Sequence, residues 1–408
     1  MKCRHCRADA LLTLIDLGSA PPSNAYLTHL TMRRPEKWFP LKVLVCESCW
    51  LVQAESYSRA AELFNDEYAY FSSFSDQWLK HAEQYVEAMV ERFGLTPGSH
   101  VVEVASNDGY LLQYVKQRGI PCLGIEPTAS TAAAARLKGI EVVEEFFGVR
   151  LANRLVGQGK QADLMVANNV LAHVPDIDDF SAGFAALLKP QGVATFEFPH
   201  VMHLIEENQF DTIYHEHFSY LSFSTVVNIL EANGLSVFDV EELGSHGGSL
   251  RVFAQRKDTG VHAITDSVAE LMGREVAAGM NRAGYYEGFQ EHADKVKNDF
   301  LLFLLEAKRS GKTVAGYGAA AKGNTLLNYA GVRPDLISYV VDRNSAKQGK
   351  FLPGCRIPIV TEAHLRQHKP DYVVIFPWNL REEVMAQLAY IRVWDGKFVT
   401  AVPCLEIV

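Results

Sequence analysis

The spacing of apolar positions changes along this chain, and the changes divide it. After an irregular opening, residues 75–93 repeat apolar side chains at helical spacing and predict a helix over Ser75–Phe93. Beyond it, short apolar runs alternate with helical stretches. Strands are expected at Val101–Ala105, Pro121–Ile125, Asp163–Ala167 and Val193–Phe198, and helices at Tyr110–Arg118, Ser130–Lys138 and Phe180–Leu188. Such alternation predicts a parallel sheet covered by helices on both faces. A further helix, Ser224–Asn233, closed by Gly234, leads into strands Leu235–Glu242 and Ser249–Arg256. The turn Gly244-Ser245-His246-Gly247-Gly248 between them suits an antiparallel hairpin. With a third strand before Phe146, this segment makes a seven-stranded α/β sheet ending in a hairpin.

A polar, helix-prone connector (about Val261–Ser310) follows. Strands at Lys312–Gly316, Ile337–Val341 and Tyr372–Phe376, with a glycine loop opening a helix after the first, then predict a second, smaller doubly wound domain. The expected domains are 1–70, 71–280 and 281–408, which suits a length of 408 residues. No short repeat or low-complexity tract interrupts them.

Composition narrows the partners. The net charge is −9, which argues against nucleic acid, since phosphates need a basic face. No apolar run approaches the roughly 20 residues of a membrane helix. Met1–Cys6 carries no hydrophobic signal segment, so no membrane partner and a cytoplasmic location are expected.

Four of the seven cysteines form two knuckles, Cys3-x2-Cys6 and Cys46-x2-Cys49. Two such pairs complete a tetrahedral four-thiolate zinc site, closed and therefore structural. The 39 residues between them exceed a compact zinc ribbon, so a longer excursion must fold there. His5, between two of the cysteines, is a weaker candidate for one ligand position.

The run Val101–Tyr110 resembles motif I of S-adenosylmethionine methyltransferases, an acidic residue followed by Gly-x-Gly-x-Gly. Glu103 is the acid, and Ala105, Asn107 and Gly109 stand in the glycine places. Asparagine is the residue after glycine best able to take a left-handed backbone, so the turn is retained. Glu126, 23 residues after Glu103 at a strand end, is placed to accept ribose hydroxyls. Asn168 would lie beside the methionine portion, and Phe146 or Phe147 would flank adenine or pack in the core.

The densest chemistry is Thr212-Ile213-Tyr214-His215-Glu216-His217-Phe218-Ser219, on a loop between strand and helix. Functional loops collect titratable groups in this way. Together with Glu67–Ser73, Val104–Gly109, Asn168–His173, His246–Arg251 and Gly316–Asn328, these residues resemble the sugar C-methyltransferases of deoxysugar biosynthesis, nearly end to end. The likeness is greatest to those acting at C-3 of thymidine-diphosphate (dTDP) 4-keto sugars. The resemblance implies a zinc-bearing first domain and a class I methyltransferase domain holding S-adenosylmethionine. It implies a nucleotide sugar held by the middle domain together with a smaller Rossmann-like C-terminal domain. It makes His217 the general base, with Glu216 orienting it or binding sugar hydroxyls. Tyr214, Tyr68 and His173 would surround the keto oxygen. His246 would touch substrate, and Gly318, Lys322 and Asn324 would hold the diphosphate at a helix N-terminus.

Other functions fit parts of the chain. A zinc-guided RNA or protein methyltransferase would need a basic groove. An NAD oxidoreductase could use the C-terminal glycine loop with Asp342, 26 residues beyond Gly316, on the ribose. A degenerate fold serving only as a binding module would have little use for Glu126 or the Tyr-His-Glu-His stretch.

Overall fold

The computed structural model describes residues 1–9, 11–57 and 71–408. Three sheets organise them. Strands β1 (Leu11–Ala20), β2 (Phe39–Cys46) and β3 (Val52–Ala54) open the first. The long β1–β2 hairpin is the excursion that the knuckle spacing demands. Its second strand ends on Cys46, so pairing of Leu11 with Cys46 brings the two knuckles together.

The central sheet uses β4 (Val101–Val104), β5 (Cys122–Ile125), β6 (Glu141–Val143), β7 (Ala162–Asn168) and β8 (Leu188–Pro199), all parallel. Between β8 and the hairpin the chain leaves this sheet. Residues Ser219–Tyr220, β9, instead pair antiparallel with β3 and become the fourth strand of the first sheet. The hairpin β10 (Leu235–Leu243) and β11 (Ser249–Arg256) then closes the central sheet in the order β10-β11-β8-β7-β4-β5-β6. This is the mixed seven-stranded class I methyltransferase sheet that the sequence predicts.

Helices around the sheet follow local signals. Helix Asp76–Phe93 starts at Ser75, whose side chain accepts from the Trp78 amide, and ends at left-handed Gly94. Helix Ile177–Leu187 is capped by Asp176, with Asp178 and Asp179 in its first turn, where the helix dipole favours negative charge. The polar connector folds into helices Asp266–Ala278 and Phe289–Arg309.

The third sheet comprises β12 (Val314–Tyr317), β13 (Val340–Val341), β14 (Ile359–Val360), β15 (Tyr372–Ile375), β16 (Lys397–Thr400) and β17 (Glu406–Ile407), ordered β14-β13-β12-β15-β16-β17. Pairs are parallel except β16–β17.

Burial joins the first and third sheets. One apolar core runs from Leu14, Val43 and Val45 through Phe210 and Ile213 to Phe300, Val314, Leu327 and Val340. Removing that much apolar surface from water is the main force fixing the first sheet against the third. The loop carrying Ile213 is part of this shared core. Among the described residues no helix is long and apolar enough to cross a membrane.

Candidate active site

The imidazoles meet on the loop between β8 and β9. His217 is buried, and its Nδ1 lies 3.1 Å from the Thr212 carbonyl. A carbonyl only accepts, so Nδ1 carries the hydrogen and the lone pair is on Nε2. The His173 ring lies 4.6 Å from that of His217, and the Tyr214 ring 4.0 Å from it. His173, in the 3-10 turn Leu171–His173, donates from Nδ1 to the Glu216 carbonyl at 2.9 Å. Burial holds both imidazoles neutral: His173 is lowered to about 4, and His217 lies well below the usual value, with the neighbouring His173 adding to the effect.

The other two members of the stretch face elsewhere. His215 donates from Nε2 to the Phe39 carbonyl at 3.2 Å, toward the first sheet. Both carboxyl oxygens of Glu216 accept from Asn24 Nδ2, at 2.9 and 2.7 Å. The backbone of Thr212, rather than the Glu216 side chain, therefore orients His217. Burial pushes the Glu216 carboxyl up to about 7 against the pull of Asn24. Asn24 carries no sequence signal linking it to this loop. The Pro21-Pro22-Ser23-Asn24 strap reaches the site only through the fold. Tyr68 lies outside the described residues.

A cationic group enters from the C-terminal side. Lys322, at the start of helix Ala321–Tyr329, donates to Asn379 Oδ1 at 2.7 Å and lies 4.2 Å from the centre of the Trp378 ring. Burial lowers its ammonium to about 8, with Asp211 opposing. Its charge reaches His217 and His246. Asp211 is raised to about 6 by burial and accepts from Trp378 Nε1 at 2.8 Å. Asp211 and Trp378 also escape sequence reading. His246 holds a left-handed backbone (φ 56°), and its ring meets Trp78 edge-on at 5.2 Å. A non-glycine residue in that conformation marks local strain, a frequent companion of ligand sites. The side chain of Asn324 is buried on the Ser23 carbonyl and Asn328, so it anchors the strap. Gly318 has φ 86°, and a Cβ there would meet Pro377 Cδ at 2.5 Å.

A candidate cofactor crevice lies at the carboxyl ends of β4 and β7. Ala105 and Asn107 take positive φ (54° and 48°), as the altered motif requires, and Gly109 joins them at 74°. Both side-chain atoms of Asn168, Ser106 Oγ and Asp108 Oδ1 are buried without a hydrogen-bond partner among the described residues. Buried polar atoms are rarely left so, and their clustering marks where a polar ligand fits. Glu126 accepts from the Asn107 and Thr128 amides at 3.0 and 2.9 Å, which fixes its carboxylate beside the loop. Each of its oxygens retains a lone pair for a ribose hydroxyl. Burial raises Glu103 well above the usual carboxylate range. Phe147 packs on Phe180 and Phe184, whereas Phe146 is 50% exposed and remains available to a base. The residues present thus fit S-adenosylmethionine.

The four knuckle sulfurs lie within 4.8 Å of one another, with Cys3–Cys49 and Cys6–Cys46 at 3.5 Å. A tetrahedral zinc with Zn–S of about 2.3 Å sets its sulfurs about 3.8 Å apart, so this set fits the metal. His5 turns away from the sulfurs and pairs with Asp178 at 2.7 Å.

Family models match the chain in three blocks: a zinc binding domain over residues 3–64, a methyltransferase domain over 78–240 and a C-methyltransferase C-terminal domain over 244–403. The C-methyltransferase NovU of Streptomyces niveus is 34% identical over 402 residues, covering 98% of this chain and 95% of that one. A ubiquinone biosynthesis O-methyltransferase of Bordetella avium is 31% identical over 113 residues, 27% of this chain and 47% of that one. Among solved structures, the magnesium protoporphyrin IX methyltransferase of Synechocystis with bound SAM aligns over 44% of this chain and 82% of that one, with a TM-score of 0.34 and 18% identity.

Proposed function

We propose the acceptor from the premise that this chain belongs to the C-methyltransferase family and is S-adenosylmethionine-dependent: a dTDP-linked 4-keto deoxysugar, methylated at C-3. The observation that carries the reading is the buried His217 ring with the half-buried rings of His173 and Tyr214 packed against it. A carbon beside a ketone becomes nucleophilic only when its proton leaves and the enolate oxygen is stabilised, so a neutral, oriented base is the defining requirement.

In this proposal His217 Nε2 takes the C-3 proton, while the Thr212 carbonyl keeps Nδ1 protonated. Tyr214, His173 and Tyr68 surround the keto oxygen. Bound S-adenosylmethionine supplies an electrophilic methyl. Glu126 holds its ribose, Phe146 its adenine, and Glu103, Asn107, Gly109 and Asn168 its methionine side. Lys322, His246 and the Gly318 turn meet the nucleotide sugar. Asn24 presents the Glu216 carboxyl to sugar hydroxyls. Cys3, Cys6, Cys46 and Cys49 bind zinc as a structural ion. The division into zinc-binding (1–70), methyltransferase (71–280) and nucleotide-sugar (281–408) domains belongs to the same proposal, as does a location in the cytoplasm.

Methyl transfer from labelled S-adenosylmethionine to a dTDP-4-keto hexose, with bulk RNA and casein as alternative acceptors, tests the acceptor. Label at the sugar carbon supports it. Label only in RNA or protein would remove it.

A further inference from the structure

The first sheet holds the segment that carries His217 from several directions. The Phe218 carbonyl accepts from the Ala54 amide at 3.1 Å and from Arg4 Nε at 3.2 Å, and the Phe218 ring lies 5.0 Å from the Arg4 guanidinium carbon. The neighbours His215 and Glu216 are bound to Phe39 and Asn24, and Ser219–Tyr220 pair with Gln53 and Val52. His217, enclosed by these contacts, turns instead toward His173 and Tyr214.

Arg4 is the group at the centre of this arrangement. It lies between Cys3 and Cys6, within the turn closed by the Arg7 amide on the Cys3 carbonyl. Its own amide donates to Gln53 Oε1 at 3.0 Å, and its guanidinium also reaches the Ala54 carbonyl (2.8 Å), Ser56 Oγ and the Pro175 carbonyl (3.4 Å). Pro175 follows His173 by two residues and Phe218 follows His217 by one. One planar fork of donors therefore spans both imidazole-bearing segments, a geometry that a lysine ammonium cannot reproduce. The backbone of that fork is flanked by two thiolates that fit a metal.

We propose that Arg4 is a positioning residue through which the metal-bound knuckle sets the geometry of the His217–His173 pair. The proposal rests on His217 being the base. Metal binding removes the freedom of the Cys3–Cys6 turn, Arg4 transmits that order to Phe218 and Pro175, and the rings inherit it. Loss of the fork lets His217 drift, and a displacement of about 1 Å at a reacting group costs about 10²-fold in rate.

The test compares full-length Arg4→Ala and Arg4→Lys with His217→Asn and with Asp178→Ala. The last removes another contact of the knuckle, that of His5, and its side chain is held otherwise by Asn233 rather than by the Phe218 or Pro175 carbonyls. Readouts are zinc per chain, S-adenosylhomocysteine affinity, kcat and KM with the dTDP-4-keto hexose, and amide hydrogen exchange over 212–220. Both Arg4 variants are expected to keep zinc and S-adenosylhomocysteine affinity, lose about 10²-fold in kcat with little change in KM, and exchange faster over 214–220. Added guanidinium ion should restore part of the activity of Arg4→Ala and none of that of His217→Asn. Wild-type kcat and exchange in Arg4→Ala, or an equal loss in Asp178→Ala, overturns the proposal. Should Arg4→Ala fail to fold, zinc is withdrawn from the wild-type chain with a strong chelator. Faster exchange over 214–220 with unchanged S-adenosylhomocysteine affinity supports the coupling, and unchanged exchange overturns it. Full turnover in His217→Asn removes the base assignment while leaving the exchange result to judge Arg4.

Discussion

The chain contains two strand–loop–helix units of nucleotide-binding type, and they treat their polar groups in opposite ways. After β4, the loop leaves Ser106 and Asp108, with Asn168 at the end of the neighbouring β7, with buried atoms unpaired among the described residues, beside a carboxylate fixed by two amides. After β12, the corresponding groups are engaged within the protein. Asp342, at the position where a dinucleotide fold would bind ribose, accepts from the Ala319 amide at 2.7 Å. Lys347 donates to the Ala319 carbonyl at 2.9 Å, and Asn324 holds the Ser23 carbonyl. A Cβ on Gly323 would meet Phe376 at 2.6 Å, so that glycine allows a helix to approach a strand end. The same backbone device thus prepares a crevice in one unit and, in the other, a joint to the segment that carries Ser23. This weighs against NAD at the second loop.

The comparison can be broken or sharpened by mutation. The largest effect is expected at the histidine loop: His217→Asn should lower kcat by about 10³-fold, within the span of general-base contributions, with unchanged affinity for S-adenosylhomocysteine and thymidine diphosphate in equilibrium dialysis. Near-wild-type turnover would remove His217 as the base. Next comes the paired test of the two carboxylates. Glu126→Ala should weaken S-adenosylhomocysteine by about 10²-fold, since it loses charged hydrogen bonds to the ligand as well as the anchor of the loop. Asp342→Ala should leave that affinity unchanged and lower the melting temperature. Equal losses of affinity would erase the distinction between the loops.

The smallest effect is one of pH. Lys322, lowered to about 8 by burial, loses its charge as pH rises, so kcat/KM should fall on the alkaline side near that value. His217 lies below 6.5 and stays unprotonated throughout the neutral range, so the acid limb should fall below 6.5. Lys322→Arg should carry the alkaline limb well upward, because a guanidinium keeps its proton. An unmoved limb would assign it to another group.

Much of this was legible in the letters. The strand–helix alternation, the hairpin turn and the cysteine spacing predict the central sheet and the metal set, because each signal is local. Boundaries were less so. The strand expected at Val193–Phe198 begins at Leu188, since Lys189-Pro190-Gln191 is polar yet follows a residue that pairs with Ala162. The strand expected at Ile337–Val341 pairs only at Val340–Val341, because the Ile337 amide closes a turn on Arg333. Phe146 and Phe147 were indistinguishable as neighbours until one entered the core. Glu216 is a candidate to orient His217 in the sequence, whereas in the fold its carboxyl meets Asn24, 192 residues away, and the Thr212 carbonyl does the orienting.

Sequence alone determined which chemical groups this protein possesses and which elements carry them, since periodicity, turn residues and ligand spacing act over a few residues. Tertiary structure decided which of those groups meet. Burial of a core shared by the first and third sheets draws Arg4, Asn24 and Lys322 around one histidine loop. Contacts across such sequence separations follow from packing, which no local pattern encodes.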